Sequence, residues 1–318
     1  MTQRYGITAP LSGRPFAEQR EWIKELEDLG YTDVWTAETD AYDALTPIAL
    51  ASQWTSSLRF GTAIVPVYTH GPAQLASQTA SVAEAAPGRV VLGIGSSSNV
   101  IVERWNGITF EKPYQRVRDT IRFLRAAMTG EKVVAEYETF TINGFRLGLV
   151  PKEPIPIMVA ALRPGMLRLA GREGDGAIIN WLSPDDVKKV VPYVHEGGPD
   201  KEVIARIFVL LTEDADMARG IGRSMISAYL NVPVYAAFHE WLGREELQPM
   251  WKAWRDGDRK AAVAAIPDSV VDDLVVHGPA DKCREVIEQY IANGVTTSAP
   301  MVVSFGDPQE AYRSLARR

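Results

Sequence analysis

Several short segments of this 318-residue chain carry side chains able to do chemistry, and each follows a run of β-branched or small apolar residues. Glu38, leading into Thr39-Asp40-Ala41-Tyr42, is a carboxylate placed to accept a hydrogen bond from a ring N–H or to exchange a proton. Ser96-Ser97-Ser98-Asn99 follows Gly93-Ile94-Gly95 and offers hydroxyls, an amide and little bulk, so a flat ring can lie against it. Ala160-Ala161-Leu162-Arg163-Pro164-Gly165 runs from a strand directly into a helix, with Pro164 suited to the first helical position. The amides and dipole of that helix start, together with Arg163, make an anion site, for which phosphate is the natural occupant; an ordinary turn with Arg163 in solvent is the plainer alternative. Thr8, Asn180 and Ser304 end further runs.

Other chemistries find little support. The histidines, His70, His195, His239 and His277, are far apart and none pairs with another at ligand spacing, so no metal is expected. Gly93-Ile94-Gly95 lacks the third glycine of a dinucleotide fingerprint and follows the fourth strand; its glycines serve equally well for close packing. No Gly-x-Ser-x-Gly elbow occurs, which argues against hydrolysis. Trp105, Trp181 and His70 have two readings, as walls of a substrate pocket at the mouth or as core and loop residues.

The elements that must position these residues alternate strand and helix. Strands are expected at Tyr5–Ala9, Asp33–Ala37, Leu58–Val65, Arg89–Gly95, Ile155–Ala160, Gly176–Asn180, Val203–Leu211 and Thr296–Val303. Amphipathic helices lie between them, closed by signals such as Gly30 and Gly130. Eight such units in one chain predict a single α/β domain over 1–318, a (β/α)8 TIM barrel, with its ligands at the carboxyl ends of the strands. Two stretches break the alternation and are expected as insertions after strands four and seven: 131–150, read as a hairpin followed by an Asn143-Gly144 turn, and 231–268, read as helical with Trp241, Trp251 and Trp254.

Composition narrows the partners. The net charge is −6 with no long basic block, so nucleic acid is a poor partner. The single Cys283 permits no disulfide framework and fits a reducing cytoplasm. No run of about 18 apolar residues predicts a membrane span, and the amino terminus leads into a strand without a signal segment.

Gly61-Thr62-Ala63-Ile64, Ala85-Ala86-Pro87-Gly88-Arg89, Val90-Val91-Leu92-Gly93-Ile94-Gly95 and Ala170-Gly171-Arg172-Glu173-Gly174-Asp175-Gly176 resemble, in order and spacing, the luciferase-like flavin and deazaflavin oxidoreductases across nearly the whole chain. Glu38 to Ala44 and Ser96 to Gly107 are more similar to the branch dependent on coenzyme F420 than to the FMN monooxygenases. The resemblance implies F420 across the barrel mouth, with FMN as the alternative, and a homodimer. Ala63-Ile64 would form a cis bulge behind the ring, and the amides of Leu162 and Arg163 would hold the phosphate. Glu38, Ala63, Ile64, Ser96, Ser97, Ser98, Ala161, Leu162 and Arg163 are thus the expected cofactor contacts. Relatives often have glycine where Arg163 stands. Some carry a catalytic glutamate after strand four; here Ser98 takes that position, and no histidine adjoins Glu38 in sequence. The implied reaction is hydride transfer between the deazaflavin C5 and a small molecule bearing an activated C=C, C=N or C=O bond. Glu38, Ser98 and Asn180 would stand near the reacting centre, and Thr8, His70, Trp105 and Trp181 would line the substrate pocket. An FMN-dependent monooxygenase and a non-catalytic cofactor-binding protein are the alternative readings.

Overall fold

The computed structural model describes residues 3–11, 13–304 and 306–317. Eight strands, β1 (Arg4–Thr8), β2 (Asp33–Thr36), β3 (Arg59–Thr62), β4 (Val90–Gly95), β5 (Ile157–Ala160), β6 (Gly176–Asn180), β7 (Glu202–Leu211) and β8 (Thr297–Val303), pair in that order, all parallel, and β8 returns to β1. The chain is a closed (β/α)8 barrel. Its strands are buried on both faces, which explains why they read as apolar runs without clear alternation.

Glycines are placed where the interior leaves no room for a side chain. The Trp35 indole fills the lumen, and a Cβ added to Gly61 would lie 2.2 Å from it, one added to Gly6 2.8 Å. Val91, Met158, Ile178, Ile204 and Ala299 complete the layer around Trp35. Beneath it, the first residues of four strands form an ionic layer. Asp33 accepts from Arg4 Nε at 2.7 Å and Arg59 Nε at 2.5 Å, and Arg59 grips Glu202 through both Nη atoms at 2.9 and 2.6 Å. Burial opposes the charge on Glu202, yet the Arg59 fork outweighs it and holds the carboxyl below its ordinary range. In the Ala170–Gly176 motif, a Cβ on Gly171 would meet the Val194 carbonyl at 2.0 Å and one on Gly176 the Glu202 carbonyl at 2.0 Å, so that motif records backbone packing.

Helices ring the barrel, among them Pro72–Ala85, Pro113–Ala127, Pro164–Arg172 and Pro184–His195, each with proline in its first turn. Among the described residues no helix is long and apolar enough to cross a membrane.

Three expectations need correction. Strand three is interrupted: Arg59–Thr62 gives way at Ala63-Ile64 to a two-residue segment, Val65–Pro66, which pairs with β4. In the hairpin Val133–Glu136/Thr141–Phe145, Asn143-Gly144 is no turn; it lies inside the second strand, where pairing slips from Val133↔Phe145 to Val134↔Asn143. A bulge of this kind uses the same left-handed glycine that a turn does, here Gly144 at φ 95°. The helical segment between β7 and β8 continues past residue 268 through Asp268–Leu274, and a short strand, Val276–Gly278, extends the sheet beside the end of β7.

Candidate functional site

The carboxyl ends of the strands form a mouth floored by small residues. The Ala63–Ile64 peptide is cis, as the family resemblance implied. Gly95 faces it closely: a Cβ there would lie 2.9 Å from Ala160 Cβ and 3.3 Å from the Ile64 side chain. At Gly93 the space is taken outright by the Thr62 carbonyl, 1.9 Å away, so this glycine serves packing. Ser97 (φ 62°) and Trp181 (φ 54°) hold left-handed backbone without being glycine, a conformation that costs about 1–3 kcal/mol and gathers at functional sites.

Glu38 and His70 meet at the rim. Glu38 emerges from β2, its amide donating to the Ile64 carbonyl at 3.3 Å. His70 comes from the loop before helix Pro72–Ala85, and its Nε2 sits 2.9 and 3.0 Å from the two Glu38 oxygens. Its Nδ1 lies 3.1 Å from Gln78 Oε1, and Thr69 Oγ1 donates to Glu38 at 3.4 Å. Both side chains are about five-sixths buried, with relative exposures of 15% and 16%. The hydrogen bond to Glu38 raises the His70 pKa above its ordinary value against the opposing effect of burial. The histidine missing beside Glu38 in sequence is therefore supplied from another loop.

The remaining expected residues divide. Helix Pro164–Arg172 begins without a side-chain cap, leaving the first-turn amides of Gly165 and Met166 free to meet an anion, with Arg163 exposed beside them. Ala161 is buried and its amide is used by the Ile178 carbonyl, so it supports this turn from behind. Ser98 Oγ accepts from the Ile101 amide at 3.4 Å, and Ser96 Oγ donates to the Ser97 carbonyl at 3.4 Å. Asn180 Nδ2 donates to Tyr235 Oη at 3.2 Å. Among the described residues no hydrogen bond joins Glu38, Ser98 and Asn180 to one another. Thr8 Oγ1 is cut off from solvent without a partner. Trp105 is 55% exposed on the turn Val100–Trp105, whereas Trp181 is 1% exposed and stacks on Phe208 at 4.0 Å. Trp181 belongs to the core beneath the helices that follow β7.

The site also contains residues that the sequence reading did not single out. Arg206, on β7 opposite Asn180, reaches across the barrel so that Nη1 donates to the Ala63 carbonyl at 3.1 Å. Tyr235, from helix Pro233–Leu242, and Tyr229 lie near it and pack edge to face on each other. A charged residue in the apolar run Val203–Leu211 was the visible signal for Arg206.

Residues 3–297 match the family model described as luciferase-like monooxygenase. The chain is 29% identical over 297 residues to 5,10-methylenetetrahydromethanopterin reductase of Archaeoglobus fulgidus, covering 88% of each protein. It is 25% identical to F420-dependent glucose-6-phosphate dehydrogenase of Kineococcus radiotolerans, covering 94% of this chain and 100% of that one. Its backbone superposes with a TM-score of 0.82 on the coenzyme F420 dependent tetrahydromethanopterin reductase of Methanopyrus kandleri, at 21% identity and covering 100% and 98% of the two chains.

Proposed function

The chain belongs to the luciferase-like monooxygenase family, and from that premise we propose that it is an F420-dependent oxidoreductase transferring a hydride between the deazaflavin and a small organic substrate with an activated C=C, C=N or C=O bond. The observation that carries this reading is that the relative named F420-dependent glucose-6-phosphate dehydrogenase aligns along nearly the full length of both chains. The uncapped helix start at Arg163 suits a phosphorylated cofactor: Leu162, Arg163 and the Gly165 and Met166 amides would hold the phosphate. Ala63, Ile64 and the Ser96-Ser97-Ser98 turn would bound the ring. When bound, the deazaflavin supplies or accepts the hydride.

The chain's own residues then orient the substrate and manage a proton. His70, with its raised proton affinity, holds a proton at Nε2 facing Glu38. Hydride delivery to a polarised double bond leaves charge on the adjoining atom, which the pair can neutralise by releasing that proton. In the oxidative direction Glu38 and His70 take the proton back. Asn180, tethered by Tyr235, can orient a substrate oxygen.

Fluorescence titration of the apoprotein with F420 and with FMN tests the assignment. Saturable F420 binding with hydride turnover is expected; binding of FMN alone would overturn it in favour of a flavin monooxygenase, and F420 binding without turnover on any donor or acceptor would leave a carrier protein. Glu38→Gln is expected to lower turnover at least tenfold, and unchanged turnover together with unchanged cofactor affinity would remove its role.

A further inference from the structure

Arg206 is a half-buried cation with no carboxylate partner among the described residues. Among the described residues, Nη1 donates to the Ala63 carbonyl at 3.1 Å, Nη2 reaches only the Met301 thioether at 3.4 Å, and Nε is shut off from water with no partner. Among the described residues no carboxylate pairs with it, and the ionisable groups that face it are the hydroxyls of Tyr229, Tyr235 and Tyr312. Two interior guanidiniums are matched by carboxylates, Arg59 by Asp33 and Glu202 and Arg244 by Asp186 at 2.6 Å, whereas half-buried Arg89 and Arg116, like Arg206, rest on backbone carbonyls. A guanidinium stays protonated even when burial lowers its proton affinity, as it does here. Leaving such a charge unpaired is costly unless something arrives to pair it.

The position of Arg206 indicates which ligand that is. The expected cofactor contacts lie on the ends of β2, β3, β4 and β5, whereas Arg206 is on β7, beside Asn180 of β6 and near Tyr229 and Tyr235 of the helices that follow β7. We propose that this half of the mouth is a specificity site for the substrate, with Arg206 and Asn180 receiving a planar oxyanion, so that the enzyme acts on carboxylate-bearing molecules. The inference rests on the F420 reading above and adds the substrate class to it. Arg206 offers parallel N–H donors of the kind that bind a carboxylate through both oxygens. Asn180 lies in register with Arg206 on the neighbouring strand, and Tyr229 and Tyr235, packed edge to face on each other, offer an aromatic wall to the apolar body attached to the anion.

The test compares benzoate with its neutral isostere benzamide, titrated calorimetrically into the protein loaded with oxidised F420, alongside F420 affinity itself. Wild type is expected to bind benzoate at least tenfold more tightly than benzamide. Arg206→Met should abolish that preference and keep F420 affinity within about threefold. Arg206→Lys should keep part of the preference. Asn180→Asp, which supplies an internal carboxylate to Arg206, should weaken benzoate binding and provides a second variant should Arg206→Met fail to fold. Equal binding of benzoate and benzamide by wild type, or a preference that survives in Arg206→Met, would overturn the proposal. Loss of F420 binding by wild type would instead defeat the cofactor reading.

Discussion

Glu38 and His70 stand 32 positions apart in the chain and 2.9 Å apart in the fold, one delivered by the end of β2 and the other by the loop entering helix Pro72–Ala85. They become a proton-holding pair because β2 and β3 lie side by side and bring the two loops together. The pair also makes stability depend on pH. His70 binds its proton more tightly folded than unfolded, where imidazole titrates near pH 6.5. Its contribution is therefore fully present below about pH 6.5 and is lost as pH rises through the higher folded value. His70→Gln is expected to destabilise by about 1–2 kcal/mol near pH 6 and by less near pH 9. Thermal melts of both proteins at the two pH values check this, and an equal penalty at both would contradict it.

The ionic layer at the barrel base should behave in the opposite sense. Glu202 has its pKa depressed in the fold, so its contribution is present above the unfolded carboxylate value near 4.3 and disappears as pH falls through the folded one. Glu202→Gln leaves Arg59 short of a partner and is expected to cost about 3–5 kcal/mol at neutral pH. Urea unfolding of the variant and wild type, repeated at acid pH, should show the gap narrowing.

Gly61 and Gly165 give opposite expectations for the same substitution. A Cβ on Gly61 would enter the Trp35 indole, and Gly61→Ala should cost about 1–3 kcal/mol or more. Nothing lies within 4 Å of a Cβ on Gly165, so Gly165→Ala should be neutral or stabilising by up to about 1 kcal/mol. Denaturant midpoints separate the two.

Arg163 tests the phosphate end of the site. Because it is exposed beside the uncapped helix start, Arg163→Ala is expected to weaken F420 binding about three- to tenfold through one lost charge-assisted contact. Affinity for a phosphate-free deazaflavin should not change. Equal weakening toward both ligands would place the arginine elsewhere in recognition.

The barrel was legible in the sequence because most strands are apolar runs ended by glycine, hydroxyl or amide residues, with amphipathic helices between. The misreadings have local causes. Asn143-Gly144 has turn composition, yet it sits in a bulge that needs the same backbone. Val276–Gly278 is too short to show a period and is a strand only because the end of β7 offers it an edge. Glu38 and the Arg163 turn could be picked out because their neighbours are diagnostic. The Glu38–His70 contact could not, since 32 residues separate them. Arg206 is conspicuous as the one charge within Val203–Leu211, but that it lacks a carboxylate depends on what the other strands present inside the barrel.

Trp35 and the charged tier below it turn the barrel into a blind well. Whatever reacts there comes and goes by the carboxyl-side opening. That one-sided access is written into a single indole and the two glycines that make room for it.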